Sequence, residues 1–282
     1  MRYPDDIDAT GTALTCFRHP DRETYRRCSR CERPACTACL IEAPVGAHCV
    51  ECAKPMVRPR VGVIGVGGAA QVTLAIIAVN VLVALWALLR PAAGRFSGEQ
   101  LTRLDLGLLG SLVADGEWYR LVTSGFTHAG LLHLAFNSIV IWQFGSLLEP
   151  AIGKPRFVAL YLASLLAGAA GALVLSPDSL TVGASGAAFG LVGAAAVGLH
   201  RRGINIWSSG IGMMLVINLV ITFAVPGISV GGHLGGLAAG AGIGAFYFWD
   251  RRGMAALPQS LGLAAVVAIA AAGVALLAAN AS

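Results

Sequence analysis

From residue 71 onward the chain is a succession of long apolar runs separated by short polar breaks. About 18 or more such residues in a row can cross the hydrocarbon core of a bilayer as a helix. Seven runs qualify, at roughly 71–89, 131–148, 156–175, 183–200, 207–224, 230–249 and 260–280. The pattern predicts an all-α polytopic membrane protein, and the composition agrees: 56% of residues are hydrophobic and only 12% charged. Residues 1–60 break the pattern, being polar and holding all seven cysteines. They read as a small separate head with the start of a linker, which continues through 61–70. Residues 71–250 form the spanning core, and 251–282 a loop and a seventh span.

Charge orients these spans. Lys54, Arg58 and Arg60 precede the first, and Lys154 with Arg156, Arg201 with Arg202, and Arg251 with Arg252 fall in alternate loops. In the long loop on the other side, residues 90–130, Arg90, Arg95, Arg103 and Arg120 are balanced by Glu99, Asp105, Asp115 and Glu117. Positive loops stay inside, so the head is expected in the cytoplasm and the carboxyl terminus outside. Residues 1–15 hold Asp5, Asp6 and Asp8 and no apolar core, so no secretory signal is expected. The net charge of +5 is modest and no basic block is interleaved with aromatics, which leaves nucleic acid without support as a partner. The lipid bilayer is the expected environment, at the plasma membrane of a cell whose alanine and glycine usage points to a GC-rich bacterium.

The head has its own chemistry. Its cysteines fall in pairs two residues apart, Cys28 with Cys31, Cys36 with Cys39 and Cys49 with Cys52, and His19 completes a fourth pair with Cys16. That gap lets both side chains of a tight turn point at one tetrahedral ion. Eight ligands suit two structural zinc ions, whereas an odd number of cysteines in a cytoplasmic head argues against disulfides. Spacing leaves the pairing open between a cross-brace, first pair with third and second with fourth, and a sequential arrangement. His48 is an alternative to Cys49. So polar a head cannot build an apolar core, so metal is expected to supply its folding free energy. Its expected role is structural or the recruitment of a cytoplasmic protein partner.

Two polar residues stand out in the apolar part. Ser185, in Gly183-Ala184-Ser185-Gly186, opens the fourth span, and His233, in Gly231-Gly232-His233-Leu234-Gly235-Gly236, opens the sixth. A lone serine in a membrane helix usually bonds to its own backbone. An ionisable residue inside a span is a functional candidate by default, however, and these two spans run in the same direction. Ser185 and His233 should therefore sit at matching depth, as nucleophile and base. Gly232, Gly236, Gly240 and Gly244 repeat every four residues, as do Gly186 and Gly190, and small faces of this kind allow close helix approach. His133 and Asn137, one turn apart in the second span, could aim donors at an oxyanion beside the Ser185 N–H.

Taken together these residues resemble the rhomboid intramembrane serine proteases: Gly183-x-Ser185-Gly186, His233 in a glycine-rich span, the spacing of His128, His133 and Asn137, and Trp118-Tyr119-Arg120. The resemblance covers about residues 71–250 and implies a six-helix rhomboid core followed by an additional seventh transmembrane helix. It implies Ser185 as nucleophile and His233 as general base, with His133 and Asn137 on the oxyanion. Phe189 would stack on His233 where many members have Tyr, His128 would support the site, and Trp118 and Arg120 would brace the long loop. The zinc head is similar to B-box-like heads attached to some bacterial members. The implied activity is hydrolysis of a peptide bond in or near the membrane span of transmembrane protein substrates, with no metal in the chemistry.

Rival readings find less support. No aspartate lies within a span and no His-Glu-x-x-His occurs, which disfavours aspartyl and zinc proteases. The expected absence of buried carboxylates disfavours a proton-coupled transporter. A non-catalytic membrane-protein binder on the same fold is the remaining alternative, and such a binder would keep its function after Ser185→Ala.

Overall fold

A computed structural model describes residues 14–42, 46–53, 70–249 and 255–281. Lys54, Arg58, Arg60, Arg251 and Arg252, on which part of the charge argument rests, lie outside the described residues. The chain divides into two compact units, Met1–Gly65 and Val66–Ser282.

The first unit is two small antiparallel hairpins. β1 (Leu14–Cys16) pairs with β2 (His19–Thr24), and β3 (Leu40–Glu42) pairs with β4 (Ala47–Cys49). Its buried apolar residues are mainly the cysteines themselves with Ala35, too little for a conventional core.

The second unit is helical: α1 (Gln71–Leu89), α2 (Gly98–Leu106), α3 (Gly110–Ala114), α4 (Arg120–Thr123), α5 (Leu131–Ile152), α6 (Lys154–Leu175), α7 (Ser185–Arg201), α8 (Ile211–Ala224), α9 (Val230–Tyr247) and α10 (Leu257–Ala281). Among the described residues α1, α5, α6 and α10 are long and apolar enough to cross a membrane unaided. The other three expected spans are shorter or richer in glycine. α7 and α9 can be so because protein, rather than lipid, covers much of them. α8 begins at Ile211, later than the pattern predicts, because Asn205 Oδ1 accepts from the Trp207 N–H at 2.9 Å and closes a turn.

Three further departures have clear causes. The 90–130 segment is mostly short helices, not open loop. Ser97 and Gln100 form a reciprocal capping box that starts α2, a signal too local for a search for long apolar runs. α5 runs four residues past its expected end and carries Glu149 into the interior, where it is 1% exposed. There its carboxylate accepts from Val72 N (3.0 Å), Thr73 N (2.8 Å) and Thr73 Oγ1 (2.8 Å). The expected absence of buried carboxylates is therefore wrong. Glu149 sits on the free N–H groups of α1 and ties α5 to the start of that helix.

That lock marks one end of the bundle. Lys154 Nζ donates to Gln71 Oε1 at 2.5 Å there, and Arg156 donates to Ser260 Oγ (3.1 Å) and Ala255 O (2.7 Å), pinning the start of α10 to the start of α6. Toward the opposite end α6, α7 and α9 meet backbone to backbone. A Cβ on Gly236 would strike Gly186 O, and one on Gly240 would strike Gly190 O. Gly171 and Gly231 meet in the same way between α6 and α9.

Gly240→Ala should lower the melting temperature in detergent, because its methyl faces rigid backbone, with overpacking of about 1–3 kcal/mol. Gly242→Ala, where nothing lies within 4 Å of the added carbon, should leave it unchanged or raise it.

Candidate active site and metal-ligand clusters

Ser185 is the first residue of α7, so its N–H is one of the helix-start donors that have no partner within the helix. The chain reaches it through Gly183, whose φ of +125° is rarely adopted by residues with a side chain. A Cβ at Gly183 would lie 2.7 Å from His133 Nε2 and 3.5 Å from Asn137 Nδ2, so both α5 side chains press on the backbone leading into the serine. The approach segment is itself held. Leu108 and Thr181 exchange two backbone bonds of 2.9 Å, and Gly183 N donates to Ser124 O at 2.9 Å. A small cavity opens at Ser185, with Ser124, Leu165, Gly183, Gly186, Ser229 and Gly232 among its lining.

The hydrogen-bond roles of the α5 pair follow from their neighbours. Ala129 N donates to His133 Nδ1 at 3.4 Å, so in neutral His133 the proton sits on Nε2, the nitrogen facing Gly183. Asn137 is 5% exposed and its Nδ2 has no partner among the described residues. An unmet buried donor is expensive, about 1–3 kcal/mol, and is expected where a ligand will supply the acceptor. His128 is also buried, and its ring meets that of His133 edge-on at 5.2 Å.

From the other side comes α9. Ser229 caps it, its Oγ accepting from Gly232 N at 3.1 Å, and His233 follows on the first turn. The His233 ring stacks on Phe189 with centroids 4.1 Å apart and planes 19° from parallel. Phe189 lies one turn beyond Ser185 on α7, so the two residues share a face of that helix. Among the described residues no hydrogen bond joins Ser185 to His233. Nucleophile and base commonly stand further apart before substrate arrives. His233 Nδ1 instead lies 2.7 Å from the hydroxyl of Thr222 on α8, a residue the sequence did not single out because a threonine in an apolar helix has no distinguishing pattern.

Trp118 and Arg120 lie in the connecting segment. Arg120 is 4% exposed and its Nη1 donates to Leu104 O (2.8 Å) and Gly107 O (2.7 Å), tying α4 to the end of α2. Its Nε donates to Glu117 Oε2 at 2.6 Å. The Tyr119 hydroxyl and then the Arg120 guanidinium hold the Glu117 carboxyl below its ordinary value. Trp118 is 67% exposed.

In the head, Cys16, His19, Cys36 and Cys39 form one cluster and Cys28, Cys31, Cys49 and Cys52 another, with the ligand atoms of each within 4.8 Å of one another. This grouping is the cross-braced one, and Cys49 rather than His48 lies in the cluster. His19 Nδ1 is 3.8, 3.6 and 3.3 Å from the sulfurs of Cys16, Cys36 and Cys39, and Cys31 Sγ is 3.8 Å from Cys49 Sγ. Ligand arms of about 2.0–2.3 Å in a tetrahedron give ligand separations of roughly 3.5–3.8 Å, so both clusters fit such an ion. Burial pushes the Cys16 thiol up, but N–H groups of Cys36, Arg18 and His19 outweigh it and bring it down to about 6. Cys39 is pushed up to about 11 by burial and by its neighbouring sulfurs. The three thiols of this cluster, and the four of the other, cannot all be thiolates without a cation among them.

Residues 115–250 match the Rhomboid domain. The chain belongs to the rhomboid family, and is a multi-pass membrane protein. It is 42% identical over 133 residues to "Rhomboid protease GluP" of Bacillus subtilis, covering 46% of this chain and 26% of that protein. To "Putative rhomboid protease YdcA" of the same species it is 40% identical over 146 residues, 50% of this chain and 71% of that one. "Rhomboid-like protease 3" of Toxoplasma gondii is 31% identical over 153 residues, 50% of this chain and 58% of that one.

Arg120→Ala should lower thermal stability, by about 1–3 kcal/mol for each of the two carbonyls left without a donor. Glu117→Gln should cost less, since the pair is partly exposed to solvent. With a carboxyl pKa depressed on folding, the Glu117 contribution is complete above its unfolded pKa of about 4.3 and fades as pH falls through the lower folded value. Melting curves of both variants across that range measure it.

Proposed function

We propose that the chain is an intramembrane serine endopeptidase that cuts membrane-protein substrates in or near a transmembrane segment, using Ser185 and His233 as a dyad. The observation that carries this reading is the buried, unpartnered Asn137 Nδ2 against the backbone that leads into Ser185, across from an imidazole stacked one turn away. A site built only for packing would have no use for an unmet donor there.

In this mechanism Ser185 Oγ attacks the scissile carbonyl and its proton passes to His233. The oxyanion accepts from the Ser185 N–H, His133 Nε2–H and Asn137 Nδ2–H, donors already in place before charge develops. The tetrahedral intermediate collapses to the acyl-enzyme, and the leaving amine takes the proton from His233. Water then attacks the ester, again with His233 as base, and frees Ser185. A helical substrate hides its carbonyls, so the cleaved segment must unwind locally, which favours small or helix-breaking residues.

Cleavage of a single-span test substrate in liposomes should vanish in Ser185→Ala and His233→Ala. Asn137→Ala should lower kcat by roughly 10²- to 10³-fold. If the Ser185→Ala protein cleaves as fast as the native chain, the dyad is wrong.

For the head we infer two structural zinc ions, cross-braced, which hold it in shape for a cytoplasmic protein partner. The support is ligand chemistry and spacing, in a unit with hardly any core beyond its own cysteines. Metal analysis of the purified full chain should return two zinc per chain. Cys28→Ser should return one, and a chelator should release zinc while leaving cleavage intact.

A further inference from the structure

Thr222 is the most completely buried polar residue of α8, at 1% exposure, and its hydroxyl makes two contacts of equal length. Oγ1 is 2.7 Å from the backbone oxygen of Asn218, one turn earlier, and 2.7 Å from Nδ1 of His233. A hydroxyl has a single hydrogen to give. The carbonyl can only accept, and a threonine in a helix commonly donates to the carbonyl one turn back, so the hydrogen belongs to that contact. Nδ1 must then bring its own proton, because two acceptors would not rest 2.7 Å apart.

We propose that Thr222 is a positioning residue that holds His233 as its Nδ1–H tautomer, with the lone pair on Nε2. The inference rests on the dyad reading for its catalytic meaning. Two partners then fix the base: the face of Phe189 sets the plane of the ring, and Thr222 sets its rotation within that plane. In a Ser-His-Asp triad a carboxylate does the second of these tasks. Here a neutral acceptor does it, its own hydrogen committed to the backbone of α8. No buried anion has to be carried into the low-dielectric end of the bundle. The other titratable side chain facing the imidazole is His133 from α5, which donates toward Gly183 and does not compete for Nδ1.

Two variants of the purified full chain test this. Thr222→Val keeps the shape and removes the hydroxyl, whereas Thr222→Ser keeps the hydroxyl. With a transmembrane test substrate, Thr222→Val should lower kcat by about 10- to 100-fold, the range for residues that orient a ligand or base from behind, with KM within about twofold. Thr222→Ser should recover most of the loss. Nitrogen-15 NMR of histidine-labelled protein, with the His233 signal identified by its loss in His233→Gln, should show Nδ1 protonated in the native chain and a tautomer mixture in Thr222→Val. A native kcat in Thr222→Val, a serine variant as slow as the valine one, or an Nε2-protonated His233 in the native chain would each overturn the proposal. Should the native chain cleave no faster than Ser185→Ala, the dyad reading fails separately, and the NMR signal alone decides whether Thr222 holds the ring.

Discussion

The backbones of α7 and α9 touch, and the geometry of the site depends on it. Gly186 and Gly190 on one helix face Gly236 and Gly240 on the other, at positions where a methyl group would enter a carbonyl or a Cα. Contact at this range sets the first turn of α7, which begins with Ser185, against the first turn of α9, which carries His233: a Cβ on Gly186 would lie 3.3 Å from Gly232 O. Nothing hydrophobic drives such contact inside a bilayer, where lipid tails are as apolar as leucine. Close dispersion contact and the absence of side chains are what favour it. α6 completes the arrangement, its Gly168 Cβ position lying 3.0 Å from Gly186 Cα and from Gly232 O. The three helices form a rigid wedge, and the histidine and asparagine of α5 close on its end.

Within that wedge the proposed reading gives the two imidazoles opposite tautomers. His133 receives the Ala129 N–H on Nδ1 and keeps its own hydrogen on Nε2, toward Gly183. His233, on the proposed reading, has its hydrogen on Nδ1, toward Thr222, and keeps a lone pair on Nε2. On the proposed reading one ring is thereby a donor to developing charge and the other an acceptor of a proton, although both are histidines. Each tautomer is selected by a backbone group, directly for His133 and through a threonine hydroxyl for His233. Backbone groups in a helix bundle have fixed positions, so neither role depends on a flexible charged side chain.

How much of this was legible in the sequence depended on whether the signal was local or spatial. Runs of apolar residues located α1 and α10 to within a few residues, since hydrophobicity alone decides them. Repeats of glycine every four residues announced a close helix face and named its members, Gly236 and Gly240 among them. The Cys-x-x-Cys spacing marked candidate ligands but could not pair them, because each gap is the same and the bonds that bring the first pair to the third (Phe17 N to Pro34 O) and the second to the fourth (Ser29 N to Ala47 O) join residues far apart in sequence. Glu149 escaped notice by lying just past an apolar run, where a carboxylate is ordinarily at the membrane surface; its acceptors' partners, Val72 and Thr73, are far away in sequence. Thr222 was invisible for the same reason. Its meaning lies entirely in which atom of another helix stands 2.7 Å from it.

The distribution of charge then separates two kinds of strength in one bundle. Glu149 on the start of α1 and Arg156 on the start of α10 work at the end remote from Ser185, where the buried carboxylate and the half-buried guanidinium hydrogen-bond one helix to the next. At the Ser185 end the described contacts to the candidate catalytic side chains are neutral: ring on ring, hydroxyl to imidazole, amide against glycine backbone. A strong ion beside the serine would compete with a transient oxyanion for the same donors and would bind water tightly. The described contacts of Asn137 include no charged side chain, and on the proposed reading its amide stays free for a substrate carbonyl. The unmet Asn137 amide is the visible consequence, a polar group left unsatisfied at a place where the rest of the fold could have satisfied it.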